Sequence, residues 1–589
     1  MDRTVYITGA GIISAIGNNK NEVKKALLDG RSGIRELHRL LSVHRELPCG
    51  EVKLSDDELL AMLGLPADAL YNRTALLGLV AIREALEQSG VSAEDAYLLC
   101  GTTVGGMDRT EQHFGDMLEN DTYLPLLRSH DTGSTTGLMA DYWKIPLQHT
   151  ATISTACSSA ANALIVGAEL IQTGRADVVI AGGSEALSLF HLNGFNSLMI
   201  LDTERCRPFD DTRRGLNLGE GAAFMVMESA VSINRRGGKP LAVLSGYGNR
   251  CDAFHQTASS ANGEGAYLAM QKALESAGIE PHEIDYINAH GTGTPNNDLS
   301  ESRALKRVFG EALPWVSSTK SFTGHTTSAS GAIEMVICLL ALQDGFIPAN
   351  LGWKNPMSEG IIPSLGENHV SLNHVMCNSF GFGGNDSSLI LSRVGACHVE
   401  EKTDCADTVS TAVVSLVRST PDSSLGDIKD FMKPMEARRL CKLQKAAFIT
   451  SLSALREAGI ESPDAIVIGT SYGMLENSEK FLLQLCREGE YGLSPTLFMQ
   501  STHNTLAGSL AIHTHCHGYN ITYTQLGEQE VLERCMNDVE MLMQQGKIEN
   551  ALIGYHNEVT PILHDMIFRL TGKDVPVGVT SVAMVIRKQ

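Results

Sequence analysis

Short apolar segments typical of β-strands alternate along the whole chain with longer segments of helical hydrophobic period. The first is the run at residues 4–11, and similar short runs lie between helical segments further along the chain. This alternation predicts the α/β fold class. The Gly9-Ala10-Gly11 at the end of the first run partly matches a dinucleotide-binding loop, but the third glycine of that fingerprint and a suitably placed acid are missing. A nucleotide site is therefore not expected.

The same series of segments occurs twice in the chain. Four pairs of segments correspond in order: 73–86 with 452–459, 100–105 with 468–473, 172–175 with 544–547, and 223–227 with 582–586. The last pair are strand-like runs that end the repeated region. The alternative is a chance likeness between two α/β segments.

The repeat divides the chain into two units of unequal length. We expect a first unit with halves at 1–235 and 236–395, and a second unit at 408–589 that copies only the first half. Residues 396–407 between them are polar and have no hydrophobic period, as in Glu400-Glu401-Lys402-Thr403-Asp404, so we interpret them as a linker.

The composition is that of a globular protein with more than one hydrophobic core. The chain has 589 residues, of which 43% are hydrophobic and 20% charged. Its net charge of −21 disfavours nucleic acid and anionic membranes as partners, and no apolar run approaches the roughly 20 residues of a membrane span. The 13 cysteines form no CxxC pair, and no secretory signal begins the sequence, so we expect free thiols and a cytoplasmic protein.

One cysteine is a candidate nucleophile. Cys157 lies in Ser154-Thr155-Ala156-Cys157-Ser158-Ser159-Ala160, between a strand-like run at 150–153 and an alanine-rich helical segment. A helix N-terminus stabilises negative charge, so this placement predicts a lowered thiol pKa. The alternative is a small buried hydrophobic residue, which we expect for most of the other cysteines.

Two later loops each carry a histidine. His290 is followed by Gly291-Thr292-Gly293-Thr294, whose glycines allow a ligand to approach the backbone closely. His325 ends the segment 318–325, in which Lys320 lies five residues before it. Either histidine alone would more often be structural, but three segments of this character in one chain favour a nucleophile served by two imidazoles.

Six segments in this order resemble the β-ketoacyl-acyl-carrier-protein synthases, which are condensing enzymes of the thiolase-like superfamily, and most of all the elongating type-II enzymes. Three are the segments around Cys157, His290 and His325, and the others are Cys206-Arg207-Pro208-Phe209-Asp210, Gly219-Glu220-Gly221-Ala222-Ala223 and Asn378-Ser379-Phe380-Gly381-Phe382-Gly383-Gly384-Asn385. The resemblance covers residues 1–395. It implies a thiolase-like layered fold (α/β/α/β/α), with a half-repeat of the same fold in the second unit.

The resemblance also implies roles for individual side chains. Cys157 would take an acyl chain as a thioester, while His290 and His325 would bind the malonyl thioester carbonyl and promote decarboxylation. The supporting residues that it implies are Lys320, which orients the region of the second histidine; Glu334, the acid beyond it; Thr292 and Thr294, which line the extender-unit site; and Phe382, an aromatic gate whose backbone N–H joins that of Cys157 in an oxyanion hole.

The implied activity is that of a 3-oxoacyl-acyl-carrier-protein synthase, which performs a decarboxylative Claisen condensation of an acyl-Cys thioester with malonyl carrier protein. The resemblance implies no cofactor and no metal, and it implies two partners, the acyl carrier protein and a second copy of the chain in a homodimer. Carrier proteins are acidic, so docking on this acidic chain requires a local basic patch. The candidates are Arg73, Arg207, Arg213 and Arg214, each of which could instead be solvated or paired internally.

The sequence leaves open whether the acyl chain belongs to fatty-acid or polyketide assembly. Gly293 resembles the polyketide-type synthases somewhat more, and Asn297 departs from the glycine that commonly precedes Asp298. A non-catalytic partner or scaffold similar to the chain-length factors is the alternative from another class. A degradative thiolase is a further alternative, but it would need a second cysteine as base where this chain has His325.

The second unit is expected to be catalytically inactive. Aligning the repeat, with a gap of about three residues, places residues 520–525 on 152–157, so that Gln525 takes the nucleophile position and cannot form a thioester. The His513-Thr514-His515-Cys516-His517 cluster is not expected to bind metal, because alternate residues of a strand point to opposite faces. We expect this unit to pack on the first unit or to pair with its equivalent in a dimer.

Overall fold

Three five-stranded sheets follow one another along the chain in the computed structural model, which describes residues 3–397, 410–419 and 423–589. Residues 398–407 of the linker predicted at 396–407 lie outside the described residues. No helix of the described part is long and apolar enough to cross a membrane.

The first sheet belongs to the N-terminal half of the first unit. Its strands, in spatial order, are β3 (Thr150–Ile153), β2 (Tyr97–Gly101), β4 (Val178–Glu185), β5 (Gly221–Ser229) and β1 (Val5–Ser14). Its helices are α1 (Lys20–Leu28), α2 (Asp56–Leu63), α3 (Arg73–Ser89), α4 (Met107–Glu119), α5 (Thr132–Trp143), α6 (Ser159–Gln172), α7 (Leu189–Ser197) and α8 (Ala230–Arg236).

The second sheet belongs to the C-terminal half of the first unit. Its strands, in spatial order, are β8 (Trp315–Ser317), β7 (Tyr286–Asn288), β11 (His374–Gly381), β12 (Asn385–Ser392) and β6 (Ala242–Cys251). A separate short pair is formed by β9 (Phe346–Ile347) and β10 (Glu367–Asn368). The helices are α9 (Glu264–Ala277), α10 (Pro295–Phe309), α11 (Lys320–Thr323) and α12 (Ser330–Asp344).

The third sheet belongs to the second unit and repeats the same strand order. Its strands are β15 (Tyr519–Thr524), β14 (Ala465–Thr470), β16 (Asn550–Val559), β17 (Gly578–Lys588) and β13 (Thr411–Ser419). Its helices are α13 (Pro434–Ala437), α14 (Lys442–Ala458), α15 (Leu475–Glu488), α16 (Pro495–Met499), α17 (Thr505–Thr514), α18 (Glu528–Gln544) and α19 (Pro561–Thr571). The repeat expected from the sequence is confirmed.

The three sheets join edge to edge into one sheet of 15 strands among the described residues. β1 pairs with β6, and β15 pairs with β3 through Tyr523 and Ile153, both antiparallel. Ile153 and Tyr523 hold equivalent positions, because each also pairs with the corresponding glycine of its neighbouring strand, Gly101 or Gly469. The two like modules therefore meet around a local two-fold axis, the geometry in which two copies of a homodimer meet.

The middle of the first unit is a layer of two buried helices. α6 contacts β2 and β4 on one side and β6 and β12 on the other, while α12 contacts β5 and β11. Every residue of α6 from Ser159 to Ile171 is buried, and most are small or apolar. A Cβ on Gly101 would lie 2.4 Å from the backbone nitrogen of Ala160, so only glycine allows this close approach. With α3 and α9 on the outer faces, the predicted α/β/α/β/α layering is confirmed.

α18 follows β15 as α6 follows β3, but its sequence is different. Its inward face buries Val531, Cys535 and Val539, while Glu530 and Glu533 are exposed. A helix with one apolar and one charged face is stable beside water. The second unit therefore folds as the first half alone, without a second layer over α18.

The strand register corrects the predicted position of Gln525. Cys157 lies four residues after Ile153, and the residue four after Tyr523 is Gly527, so Gln525 corresponds to Thr155. The alignment was wrong by two positions, although neither Gln525 nor Gly527 can form a thioester.

The histidine cluster of the second unit lies on a different element from the one expected. His513 and Thr514 are the last residues of α17, and His515 ends that helix with a φ of 52°. The expectation of a strand at this cluster was wrong. Among the described residues, no group of three or more His, Cys, Asp or Glu side chains is arranged to hold a metal ion.

Candidate functional site

Cys157 lies on a sharp turn between β3 and α6. Ala156 has a φ of 55°, a left-handed conformation that is uncommon for a residue with a Cβ, and Ala156–Ser158 form a 3-10 turn. Ser158 Oγ donates to Asn385 Oδ1 at 2.7 Å, and Asn385 Nδ2 donates to the carbonyl oxygen of Asn520 at 2.5 Å. The turn is thus fixed by side chains that connect both units, and the Cys157 side chain is buried in it.

The structure brings the two predicted histidines to this cysteine. The Nε2 atom of His325 lies 3.1 Å from Cys157 Sγ. The rings of His290 and His325 are nearly perpendicular, with their centroids 5.4 Å apart. A nucleophile and two imidazoles from three distant segments therefore share one buried site.

Ser330, which the sequence analysis did not select, orients the ring of His325. The His325 Nδ1 atom lies 2.9 Å from Ser330 Oγ, at the first residue of α12. The backbone N–H of His325 donates to the carbonyl oxygen of Asn217 at 2.7 Å. These contacts at opposite sides of the residue direct Nε2 toward the sulfur.

Glu301, also absent from the sequence analysis, fixes the loop of His290. The backbone N–H groups of His290 and Gly291 donate to the two carboxylate oxygens of Glu301 at 2.8 and 2.7 Å. Glu301 is buried on α10, and burial raises its pKa to about 7. Its sequence context gives no signal of this role, because it lies in a polar helical segment that resembles a solvent-facing surface.

Lys320 and Glu334 form a buried ion pair behind the histidines. Lys320 Nζ lies 2.5 Å from Glu334 Oε1, and the side chains are only 1% and 3% exposed. Burial raises the pKa of Glu334 to about 7, although the lysine opposes this shift. The pair places a positive charge close to the imidazoles without exposing it to water.

Burial and the lysine charge keep both imidazoles neutral. The pKa of His290 and that of His325 lie well below the ordinary histidine value, first because of burial and second because of Lys320. Burial also raises the pKa of the Cys157 thiol to about 11, against the opposing influence of Lys320 and of the backbone N–H groups of Phe382 and Cys157. The lowered thiol pKa expected from the helix N-terminus is therefore wrong, because desolvation outweighs the helix dipole here.

A first cavity of about 230 Å³ extends from Cys157 between the two units. Its lining is largely apolar, with Phe190 and Phe195 from the first unit and Phe498 and Leu563 from the second. An apolar cavity that begins at a nucleophile can hold an alkyl chain attached to it. We refer to this space as the acyl cavity.

A second cavity of about 350 Å³ meets Cys157 from the other side and is lined by both histidines. Thr292 and Thr294 also line it, with their hydroxyl oxygens 2.9 Å apart. Phe382 borders both cavities, and its carbonyl oxygen accepts a hydrogen bond from Asn504 Nδ2 at 2.8 Å. Cys157 is therefore reachable from two separate spaces with Phe382 between them.

The four arginines considered for a basic patch have different environments. Arg73 is fully buried and bound to Glu220 and Asp56, so of its two interpretations the internally paired one is confirmed and Arg73 is excluded from a docking surface. Arg207 and Arg213 are largely covered, since Arg207 bonds to Glu204 and Thr212 and Arg213 to backbone oxygens. Arg214 is exposed.

Three family models match the chain. The model described as "Beta-ketoacyl synthase, N-terminal domain" matches residues 2–232, and the corresponding C-terminal domain matches residues 241–354. A second model of the N-terminal domain matches residues 418–589. The matches follow the two halves of the first unit and the single half of the second.

Two curated proteins are similar to the first unit. Nodulation protein E of Rhizobium meliloti is 33% identical over 423 residues, covering 67% of this chain and 100% of that protein. The 3-oxoacyl-[acyl-carrier-protein] synthase 2 of Vibrio cholerae is 33% identical over 417 residues, covering 67% of this chain and 99% of that protein.

The fold of the whole chain is shared with a solved structure titled "PfaC Keto synthase-Chain length factor". The TM-score is 0.82 at 16% identity, covering 100% of this chain and 78% of that one. The family models and the curated relatives lead to one conclusion. The chain belongs to the β-ketoacyl synthase family.

Proposed function

We propose that this protein is a 3-oxoacyl-acyl-carrier-protein synthase that joins an acyl group on Cys157 to the two-carbon unit of a malonyl carrier protein. The observation that carries the proposal is the buried contact of 3.1 Å between Cys157 Sγ and the neutral ring of His325, with His290 beside it. A condensing enzyme needs a nucleophile that holds one substrate and donors that activate the other.

The first step is transfer of the acyl chain to the enzyme. The thiol is protonated at neutral pH, so Cys157 passes its proton to His325 Nε2 as the sulfur attacks the acyl thioester carbonyl. The carrier thiolate leaves and takes up that proton. The backbone N–H groups of Cys157 and Phe382, which face the sulfur, would bind the oxyanion that forms in between.

The second step is loss of CO2 from the malonyl thioester. The carbon–carbon bond to the carboxylate breaks, its electron pair forms an enolate, and the negative charge collects on the thioester oxygen. N–H donors from His290 and from the tautomer of His325 that carries its proton on Nε2, with Nδ1 accepting from the Ser330 hydroxyl, would stabilise that oxygen. Because Lys320 and burial keep both rings neutral, they can donate hydrogen bonds without delivering a proton that would quench the enolate.

The enolate carbon then attacks the acyl carbon on Cys157, and the thiolate of Cys157 leaves and takes up one proton from water, which restores the thiol. The product is the 3-oxoacyl group on the carrier protein, two carbons longer than the acyl group that was loaded. Both reactants reach the same sulfur from different cavities, which supplies the proximity that such a condensation needs.

The second unit has a non-catalytic role in this proposal. It has no nucleophile at the position equivalent to Cys157, yet Phe498 and Leu563 line the acyl cavity. These side chains would limit the length and shape of the acyl chain, as a chain-length factor does. The thiolase alternative finds no support at the site, since the group beside the sulfur is an imidazole and not a second thiol.

The proposal is tested by CO2 release and product formation from malonyl carrier protein and an acyl carrier protein. We expect Cys157→Ala to abolish product formation and His290→Ala to slow decarboxylation, whereas Cys486→Ala, which removes an exposed thiol outside both cavities, leaves both unchanged. No condensation by the wild-type chain would show a non-catalytic partner. Reaction with acetyl-CoA but not with malonyl thioesters would show a thiolase.

A further inference from the structure

Three imidazoles line the acyl cavity: His191, whose Nε2 lies 3.5 Å from the Thr103 hydroxyl, and two others, one from each unit. His130 comes from the first unit and His503 from the second, and both rings are only partly accessible. A saturated acyl chain has no group that could pair with a ring nitrogen. Their presence at this position is therefore not explained by the packing of an alkyl chain.

The two histidines occupy equivalent places around the local two-fold axis. His130 directly precedes Asp131, the N-cap of α5, and His503 directly precedes Asn504, the N-cap of α17. In both rings Nδ1 lies 3.0 Å from a threonine hydroxyl, that of Thr110 for His130 and that of Thr524 for His503. Each unit thus places one imidazole just before the equivalent helix, although the threonine that holds it lies on α4 in the first unit and on β15 in the second.

The contacts of Thr110 are compatible with a tautomer of His130 that carries its proton on Nδ1. The Thr110 hydroxyl can donate to the carbonyl oxygen of Gly106 at 3.3 Å and accept from Nδ1–H of His130 at 3.0 Å. In that tautomer the Nε2 atom of His130 carries a lone pair and accepts hydrogen bonds. Burial lowers the pKa of His130 to about 4, so this ring is neutral at neutral pH.

His503 can adopt either tautomer of the neutral ring. The hydroxyl of Thr524 that faces its Nδ1 also contacts the hydroxyl of Thr132 at 2.9 Å, so the proton of Thr524 can point to either partner. Burial lowers the pKa of His503 to about 4 as well. The ring packs on Gly473, where a Cβ would lie 2.1 Å from its Cδ2 atom.

We propose that His130 and His503 form a polar subsite that selects an acyl chain carrying an oxygen substituent over a saturated chain of the same length. A hydroxyl can donate to the acceptor nitrogen of His130, and either a hydroxyl or a carbonyl can accept from His503 when its Nε2 carries the proton. A saturated chain would leave these buried nitrogens unpaired, which is the situation in which binding sites discriminate strongly. The inference rests on the proposed function, because it assumes that an acyl chain occupies the cavity.

The test measures binding separately from catalysis. Pantetheine amides cannot transfer their acyl group, so calorimetry on the full chain gives dissociation constants for saturated, hydroxylated and keto chains of equal length, with the oxygen scanned along the chain. We expect at least one oxygenated amide to bind about tenfold or more tightly than the saturated one, which corresponds to about 1.4 kcal/mol. The hydroxyl series should exceed the keto series if His130 is the main partner.

Variants identify the residues responsible. The double variant His130→Leu with His503→Leu should lose the preference and bind the saturated amide at least as well as the wild type does. His130→Gln with His503→Gln keeps a polar group in each place and should retain part of the preference. His513→Leu removes an exposed imidazole outside the acyl cavity and should leave all dissociation constants unchanged.

Equal affinities for saturated and oxygenated amides in the wild type, or a preference that survives in the double leucine variant, would overturn the subsite. Acylation of Cys157 from matched thioesters, followed by mass spectrometry, tests the enzyme function on its own. Selective binding without acylation would refute the proposed function and leave the subsite standing. Acylation without selective binding would support the proposed function and refute the subsite.

Discussion

The buried ion pair behind the histidines makes a quantitative prediction. Lys320 and Glu334 are 1% and 3% exposed, so water screens neither charge. Lys320→Met keeps a similar volume but leaves the Glu334 carboxyl buried without its partner. Removing one member of a buried pair costs about 3–5 kcal/mol when the other stays charged, so this is the upper limit of the expected loss in the free energy of unfolding.

The loss should depend on pH. The pKa of Glu334 is about 7 in the folded wild-type chain and rises further without the lysine, whereas the unfolded chain releases this proton near pH 4.5. A group whose pKa is raised in the folded state costs stability as pH rises between these two values. The wild type bears this cost up to about pH 7 and the variant up to its own higher pKa, so the deficit of Lys320→Met should be small near pH 5 and grow above pH 7 by about 1.4 kcal/mol per pH unit.

The matched control is the double variant Lys320→Met with Glu334→Gln, in which no buried ionisable group is left without its partner. We expect it to recover more than half of the stability lost by the single variant at pH 8, measured by urea unfolding at both pH values. A double variant as unstable as the single one, or a deficit that is the same at pH 5 and pH 8, would refute the electrostatic explanation and indicate lost packing instead.

Three further predictions concern other parts of the molecule. Ser330→Ala leaves His325 Nδ1 unpaired and should slow CO2 release about tenfold with little change in KM. Ser330→Thr keeps the hydroxyl and should keep most of the rate. An unchanged rate in Ser330→Ala would contradict the role of Ser330. Burial raises the pKa of Asp538 to about 7, so ionising this carboxyl should cost the wild type stability as pH rises from 4 to 7. Asp538→Asn has no such carboxyl and should not lose this stability. Thermal midpoints that change with pH in the same way in both chains would contradict the prediction. β15 occupies the edge of β3 at which a second copy of the chain would otherwise pair, so light scattering should give the mass of a 63.4 kDa monomer. Twice that mass would show that a second copy is still needed.

The architecture and the three residues that meet in the candidate site could be predicted from the sequence because their signals are local. Strand and helix periods gave the α/β class, and the segments around Cys157, His290 and His325 carry residue types that are distinctive within a few positions. The repeat was visible for the same reason, since the matching segments keep their order along the chain.

The parts that could not be predicted depend on what the fold brings together. Arg73 appeared to be a surface charge, but the fold places Glu220 beside it and buries both. The thiol pKa of Cys157 followed burial in a cavity, which no helix position reveals. Ser330 contacts His325 through one hydrogen bond and Glu301 holds the loop of His290 through two, and neither residue lies in a motif that would identify it. The alignment of Gln525 failed because only the pairing of β15 with β3 shows the two-residue offset.

The edge-to-edge pairing of β3 with β15 places both sides of the acyl cavity in one polypeptide. In an enzyme whose cavity is completed by a separate subunit, the completed fraction falls on dilution according to the dissociation constant of the complex. Covalent linkage replaces that equilibrium by an effective concentration that dilution does not change. Each molecule of this protein therefore carries its own complete cavity at any abundance, and the stoichiometry of the two units is fixed at one to one by translation.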